Sequence, residues 1–165
     1  MKKIVLQLFL IVFTINLSAQ MVPEETEWYS PQPPKVTPGS KPGTPPSDAI
    51  ILFDGKDLSM WKAEDGSEPK WEVTNGELKV KPGTGNIKTK QHFGDIQLHI
   101  EFKSPAPENY NGQDRGNSGI FLQSRYEVQV LDADNNSTYV NGMVGSVYKQ
   151  QAPLANAYTR NGEWQ

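Results

Sequence analysis

From residue 116 to 132 the chain reads Gly-Asn-Ser-Gly-Ile-Phe-Leu-Gln-Ser-Arg-Tyr-Glu-Val-Gln-Val-Leu-Asp. Side chains alternate between the two faces of a strand. Ile120, Leu122, Ser124, Tyr126, Val128 and Val130 therefore fall on one side, and Phe121, Gln123, Arg125, Glu127, Gln129 and Leu131 on the other. The pattern predicts one long strand with a core face and an opposite face that carries Gln, Arg, Glu and Gln in a row. Two readings of that row stay open. One is a half-buried antiparallel strand whose polar face is wet, and the other is a ligand or catalytic surface.

Residues 95–103 alternate in the same way, with Ile96, Leu98, Ile100 and Phe102 against Gln97, His99, Glu101 and Lys103. If the two strands are neighbours, their polar faces merge into one surface bearing His99, Glu101, Lys103, Arg125, Glu127 and Gln129. A tight hairpin is predicted at Asn75-Gly76, because both turn positions need positive φ and this pair supplies it. That turn sets Val73 opposite Leu78, Trp71 opposite Val80 and Glu72 opposite Lys79, with apolar pairs on one face and an opposite-charge pair on the other. Residues 145–148 read as a short strand and Asn161-Gly162 as another turn. Gly83-Thr84-Gly85 is a turn too, since no helix follows to make it a phosphate cradle. Residues 104–115, with Tyr110, Asp114 and Arg115, form a loop long enough to carry function. No long amphipathic helix is present, so the expected class is all-β.

The N-terminal third is built differently. Lys2-Lys3 precede an apolar run from Ile4 to Leu17 that closes on Ser18-Ala19, the layout of an export signal over residues 1–19. The run is short of the roughly 20 residues that span a bilayer. Residues 20–47, with Pro23, Pro31, Pro33, Pro34, Pro38, Pro42, Pro45 and Pro46, read as an extended linker, in which Trp28-Tyr29 offers an apolar clasp for a domain over residues 48–165. The sequence has no cysteine, which removes disulfides, thiol nucleophiles and thiolate metal sites. A formal net charge of −3 without a basic block argues against nucleic acid. The expected product is periplasmic or secreted, with no stable membrane insertion once the signal is cleaved.

Several stretches together carry a family resemblance. They are Asn117-Ser118-Gly119-Ile120-Phe121-Leu122, Tyr126-Glu127-Val128-Gln129-Val130-Leu131-Asp132, Leu52-Phe53-Asp54-Gly55-Lys56-Asp57-Leu58 with Trp61, Gly145-Ser146-Val147-Tyr148, and Asn161-Gly162-Glu163-Trp164-Gln165. Taken in chain order, they make the sequence resemble the bacterial 3-keto-disaccharide hydrolase family from about residue 50 to its end. The resemblance implies a concanavalin-like jelly-roll β-sandwich, of which this chain is expected to lack the C-terminal strands. It also implies a sugar substrate oxidised to a ketone at carbon 3.

Ordinary glycoside hydrolysis needs two carboxyl groups about 5 to 9.5 Å apart, for which Glu101 and Glu127 are candidates. A 3-keto group directs the chemistry elsewhere. It acidifies the hydrogen on carbon 2, so that a base can remove it, the enolate can expel the group on carbon 1, and water can add. This path needs a base, a charge stabiliser and an acid. For these roles the candidates are Glu127 as base, Arg125 as stabiliser and His99 or Glu101 as the second proton-transfer group, with Gln123, Gln129, Asn117, Tyr110 and Tyr148 as substrate contacts. Structural alternatives stand beside these roles: Arg125 as an ion-pair partner of Glu101 or Glu127, and His99 as a polar surface residue. No cofactor is evident. A divalent metal stays open, as oxygen and nitrogen donors are plentiful but form no compact ligand motif. With His92 and His99 as its histidines and no nucleophile elbow, the chain does not suggest a serine triad. The rival functional class is a non-catalytic carbohydrate-binding module, and a third is a surface or complex-forming protein.

Overall fold

The computed structural model describes residues 22–105 and 109–165. The expected export signal over residues 1–19 lies outside the described residues. Two compact units divide the chain, one ending at His92 and one running from Phe93 to Gln165.

In the first unit, strands β1 (Trp61–Ala63) and β4 (Ile87–Thr89) pair antiparallel, as do β2 (Glu72–Thr74) and β3 (Glu77–Lys79). The β2–β3 hairpin has the expected register, Glu72 opposite Lys79 and Val73 opposite Leu78. Asn75 and Gly76 take φ of 54° and 79°, the left-handed values that a tight hairpin turn requires. Glu72, however, forms its ion pair with Lys81 at 2.8 Å, beyond the end of the strand at Lys79. Trp61 donates its indole N–H to the Leu52 carbonyl at 2.6 Å, which ties the apolar stretch before β1 to the sheet. In the proline-rich segment the backbone closes a loop, because Ser47 N–H donates to the Thr37 carbonyl and Thr37 N–H to Ser47 Oγ, both at 2.9 Å. Trp28 and Tyr29 are 87% and 71% exposed, so the apolar clasp expected of them is not formed.

The second unit holds β5 (Ser118–Leu122) and β6 (Tyr126–Val130), with 3₁₀ turns at Gly112–Asp114 and Val140–Gly142. The single long strand expected over residues 116–132 is therefore a hairpin. Gln123 and Ser124 take φ of 54° and 53°, Arg125 N–H donates to the Leu122 carbonyl at 3.1 Å, and Leu122 pairs with Tyr126. Three residues intervene between the last paired positions, an odd number, so partners keep the same parity and the division into two faces survives the fold-back. Phe121 lies opposite Glu127 and Gly119 opposite Gln129 on one face, with Ile120 opposite Val128 on the other.

Burial of those faces departs from expectation. Leu122 and Tyr126, on the expected core face, are 37% and 45% exposed, while Gln129 and Leu131 on the polar face are buried. The segment around Gly112–Asp114 folds over the Gln129 end of that face, and its Gln113 Oε1 accepts from Gln129 Nε2 at 3.1 Å. Residues 145–148 flank β6 as a third antiparallel stretch, with Gln129 N–H donating to Ser146 O at 3.0 Å, Gly145 N–H to Gln129 O at 2.9 Å, and Tyr148 N–H to Glu127 O at 2.9 Å. Because that edge of β6 is taken, residues 95–103 do not join there. Ile96, Leu98 and Ile100 are about half exposed, no strand is formed over them, and the backbone pairs at Phe102, which exchanges hydrogen bonds with Gln165 at 3.2 and 2.9 Å. Among the described residues the strands are antiparallel and the helical content is confined to 3₁₀ turns. The architecture is all-β.

Candidate functional site

Glu127 sits in the middle of β6, and its side chain lies across the neighbouring strand where Gly119 has none. A β-carbon at position 119 would meet Glu127 Cγ and Cδ at 2.9 Å. Glycine here answers a need for space and not for backbone conformation, since its φ is not in the left-handed region. The hydrogen bond from Tyr148 N–H to the Glu127 carbonyl fixes Tyr148 beside β6. Its hydroxyl meets that of Tyr139 at 2.6 Å, with the two ring centroids 6.3 Å apart and the planes inclined by 50°. Tyr139 is seated by a second glycine, because a β-carbon on buried Gly142 would meet the Tyr139 ring carbons Cδ2 and Cζ at 2.7 Å. Lys149 follows Tyr148 in a left-handed backbone conformation (φ 61°), held by its N–H to the Asn141 carbonyl at 2.8 Å. This conformation brings its ammonium 3.5 Å from the Tyr139 ring centroid and 5.6 Å from that of Tyr148.

The phenol pair is electrostatically lopsided. The hydrogen bond with Tyr148, followed by contact with Lys149, holds the Tyr139 phenol below its usual range, although Glu127 opposes this. The hydrogen bond to Tyr139, partial loss of solvent and the negative charge of Glu127 push the Tyr148 phenol up. The Lys149 ammonium, nearer to the Tyr139 ring than to the Tyr148 ring, favours negative charge on Tyr139 over Tyr148. A carboxylate, two phenols and an ammonium converge on one open surface, a set that can accept a proton, donate one and stabilise negative charge.

The residues expected from sequence are distributed unevenly over this surface. Glu127 and Tyr148 are brought together. Gln129 is 2% exposed, and its Nε2 donates to Gln113 Oε1 at 3.1 Å and to Asn117 Oδ1 at 3.2 Å. Asn117 in turn donates to the Gln113 carbonyl at 2.8 Å, and Gln113 donates to Thr138 Oγ1 and the Gly142 carbonyl at 2.8 and 2.9 Å. Gln129 and Asn117 therefore belong to an amide network that supports the turn beneath Tyr139. Gln123 and Arg125 occupy the β5–β6 turn, both exposed. His99 and Glu101 lie on the exposed 95–103 stretch with His99 Nε2 3.5 Å from Glu101 Oε1, and Tyr110 is 54% exposed in the long loop that follows. The sheet of β5 and β6 holds no strand from 95–103 among the described residues, so the merged polar surface expected from the two strands is not formed.

Sequence reasoning missed Tyr139 as part of a pair, Lys149, Gly119 and Gly142. An isolated glycine within a strand pattern signals a close approach, and Gly119 gives that signal. It also missed a buried polar knot. Arg115 Nε donates to Asp132 Oδ2 at 2.7 Å with both side chains nearly excluded from solvent, Arg115 Nη2 donates to the Asp134 carbonyl at 2.8 Å, and Asn161 Nδ2 donates to the same Asp132 oxygen. Asp134 N–H donates to Asp132 Oδ1 at 2.9 Å. A buried pair satisfied on this scale fixes loops in place. Here it joins the segment before β5 to the segment after β6. Burial pushes the nearby Tyr158 phenol up, with Ser104 opposing. Among the described residues no group of three or more His, Asp or Glu side chains is arranged to hold a metal ion, and no helix is long and apolar enough to cross a membrane.

The strands of the described residues are antiparallel, and one sheet face carries a carboxylate, two phenols and an ammonium. The chain belongs to the 3-keto-alpha-glucoside-1,2-lyase-like domain family, whose pattern matches residues 48–165. It is similar to the crystal structure of a candidate glycosyl hydrolase from Parabacteroides distasonis, with 53% identity and a TM-score of 0.80 over 88% of this chain. The match spans 64% of that protein's length. No curated protein matches the chain.

Proposed function

We propose that the protein is an exported carbohydrate-active enzyme that cleaves 3-keto-glycosides by proton abstraction at carbon 2, elimination at carbon 1 and hydration. The observation that carries this reading is the Glu127 carboxylate, seated over Gly119 beside a phenol pair, in a chain whose family is named for 1,2-lyase chemistry on 3-keto-α-glucosides. Glu127 takes the carbon-2 proton. The C–H electron pair becomes the enolate, and its collapse breaks the bond from carbon 1 to the leaving oxygen, which takes up a proton. Water then adds to carbon 1 of the enone and carbon 2 regains its proton. The domain is proposed to be a concanavalin-like jelly roll, as the family resemblance and the all-β architecture support, and the leader-like residues 1–19 support export.

The test is an assay of the full-length protein on 3-keto-glycosides and on their unoxidised parents in deuterated water. Cleavage of the keto sugars alone, with deuterium entering at carbon 2, is the expected result. Equal binding of keto and parent sugars without turnover of either would replace this reading with a binding module.

A further inference from the structure

We infer that Tyr139 is the proton donor to the leaving oxygen, that Tyr148 and Lys149 hold it in that role, and that Gly119 and Gly142 seat Glu127 and Tyr139 respectively. The inference rests on the elimination proposed above and assigns its second half. Elimination ends with an alkoxide on the leaving sugar, a poor leaving group unless a proton reaches it as the bond breaks. The donor must then carry a negative charge, so the phenol that gives the proton should be the one whose anion the surroundings stabilise.

The Lys149 ammonium singles out Tyr139, standing 3.5 Å from its ring centroid and 5.6 Å from that of Tyr148. The Tyr148 hydroxyl, 2.6 Å from the Tyr139 oxygen, is placed to donate to the anion once it forms, and buried Gly142 leaves the space that holds the Tyr139 ring there. The groups facing it that titrate or carry charge are Tyr148, Lys149 and Glu127. The balance of charge closes within the site. Glu127 becomes neutral on accepting the carbon-2 proton as Tyr139 becomes anionic on giving its own. After water attacks carbon 1, its surplus proton restores Tyr139, while Glu127 returns its proton to carbon 2. Lys149 and Tyr148 act through Tyr139 and are positioning residues. So are the two glycines, neither of which needs its freedom from a side chain for backbone reasons.

The decisive experiment compares two 3-keto-glucosides, one with an alkyl and one with a 4-nitrophenyl leaving group, on the full-length protein. 4-Nitrophenolate departs without a proton. Tyr139→Phe should therefore slow the alkyl substrate by about two to four orders of magnitude, the range expected for loss of a general acid. The nitrophenyl substrate should lose at least tenfold less, and carbon-2 exchange should continue. Lys149→Met and Gly142→Ala should give the same leaving-group-selective loss, with Lys149→Arg recovering part of it. Equal losses on both substrates, or none on either, would overturn the assignment. Should Gly142→Ala fail to fold by circular dichroism, the exposed Lys149 variants decide. If the unaltered protein neither exchanges carbon 2 nor cleaves either substrate, the elimination reading has failed, and ultraviolet titration of tyrosinate then judges the assignment separately. Tyr139→Phe should remove the earliest-titrating tyrosine and Lys149→Met should move it to higher pH. An unchanged titration in both variants would sink it.

Discussion

Two hairpins in this chain turn through consecutive left-handed residues, and they reach that conformation by opposite routes. The β2–β3 turn uses Asn75 and Gly76 at φ 54° and 79°, residue types that accept positive φ at little cost. The β5–β6 turn uses Gln123 and Ser124 at 54° and 53°, types with no such ease. In the first hairpin local chemistry dictates the fold-back, and the three registered pairs follow from it. In the second, five registered pairs, together with the flanking stretch 145–148, impose the turn on residues that would not choose it. The hairpin with the strained turn is also the one that carries Glu127. Tertiary pairing has replaced turn propensity where the strand must deliver a side chain to a site.

The largest expected effect separates the hairpins by function. Glu127→Gln keeps shape and removes the base, so turnover of a 3-keto-glycoside should fall by about two to four orders of magnitude while binding is retained. Glu72→Gln makes the same change on the other hairpin, where the exposed partner is Lys81, and should leave turnover unaltered. Steady-state kinetics with both variants checks this. Loss of binding together with turnover in the Glu127 variant would mark Glu127 as a ligand or packing residue.

Next in size is the knot that braces the β5–β6 hairpin. Arg115→Met strands the buried Asp132 carboxylate without its cation, a change that costs about 3 to 5 kcal/mol in comparable buried pairs. Denaturant unfolding should register it as a lower midpoint with little change in slope. The first hairpin has no equivalent buried pair among the described residues, its ion pair being the exposed Glu72–Lys81. A midpoint within about 0.5 kcal/mol of the parent, the usual scatter of surface substitutions, would mean that the knot does not brace the unit.

The same contrast explains which features were legible in the sequence. Alternation assigned Phe121 and Glu127 to a common face, and that held because the loop between β5 and β6 preserves parity. It could not reveal the fold-back itself, since Gln123-Ser124-Arg125 continues the alternation without a turn residue. Nor could it tell which face is covered. Gln129 is buried by Gln113, sixteen positions earlier, and by Asn117, partners that no strand pattern specifies. The β1–β4 pairing was invisible because its strands are three residues long and widely separated, with no turn joining them. Lys149 was missed for a related reason: its approach to Tyr139 depends on a left-handed residue and on the 3₁₀ turn at Val140–Gly142, both set by tertiary hydrogen bonds. The all-β class, by contrast, needed only local patterns.

The smallest effect tests the comparison at its origin by exchanging turn chemistry between the hairpins. Gly76→Val places a β-branched residue at φ 79°, and the steric cost of left-handed backbone, about 1 to 2 kcal/mol per residue, should appear as lost stability. The reverse exchange, Gln123→Asn with Ser124→Gly, relieves the same kind of cost at the β5–β6 turn. Part of that gain is offset because glycine loses more freedom on folding, by about 0.5 to 1 kcal/mol. The net expectation is a small rise in stability, roughly 0.5 to 1 kcal/mol, read from the unfolding midpoint. Kinetics on the same variant then asks a second question. If the turn serves only to return the chain, turnover and KM stay as they were. If Gln123 contacts the sugar, KM rises although the protein is more stable. A loss of stability would mean that Gln123 and Ser124 make side-chain contacts worth more than the strain they carry, and the contrast between a locally encoded and a tertiary-imposed turn would no longer stand.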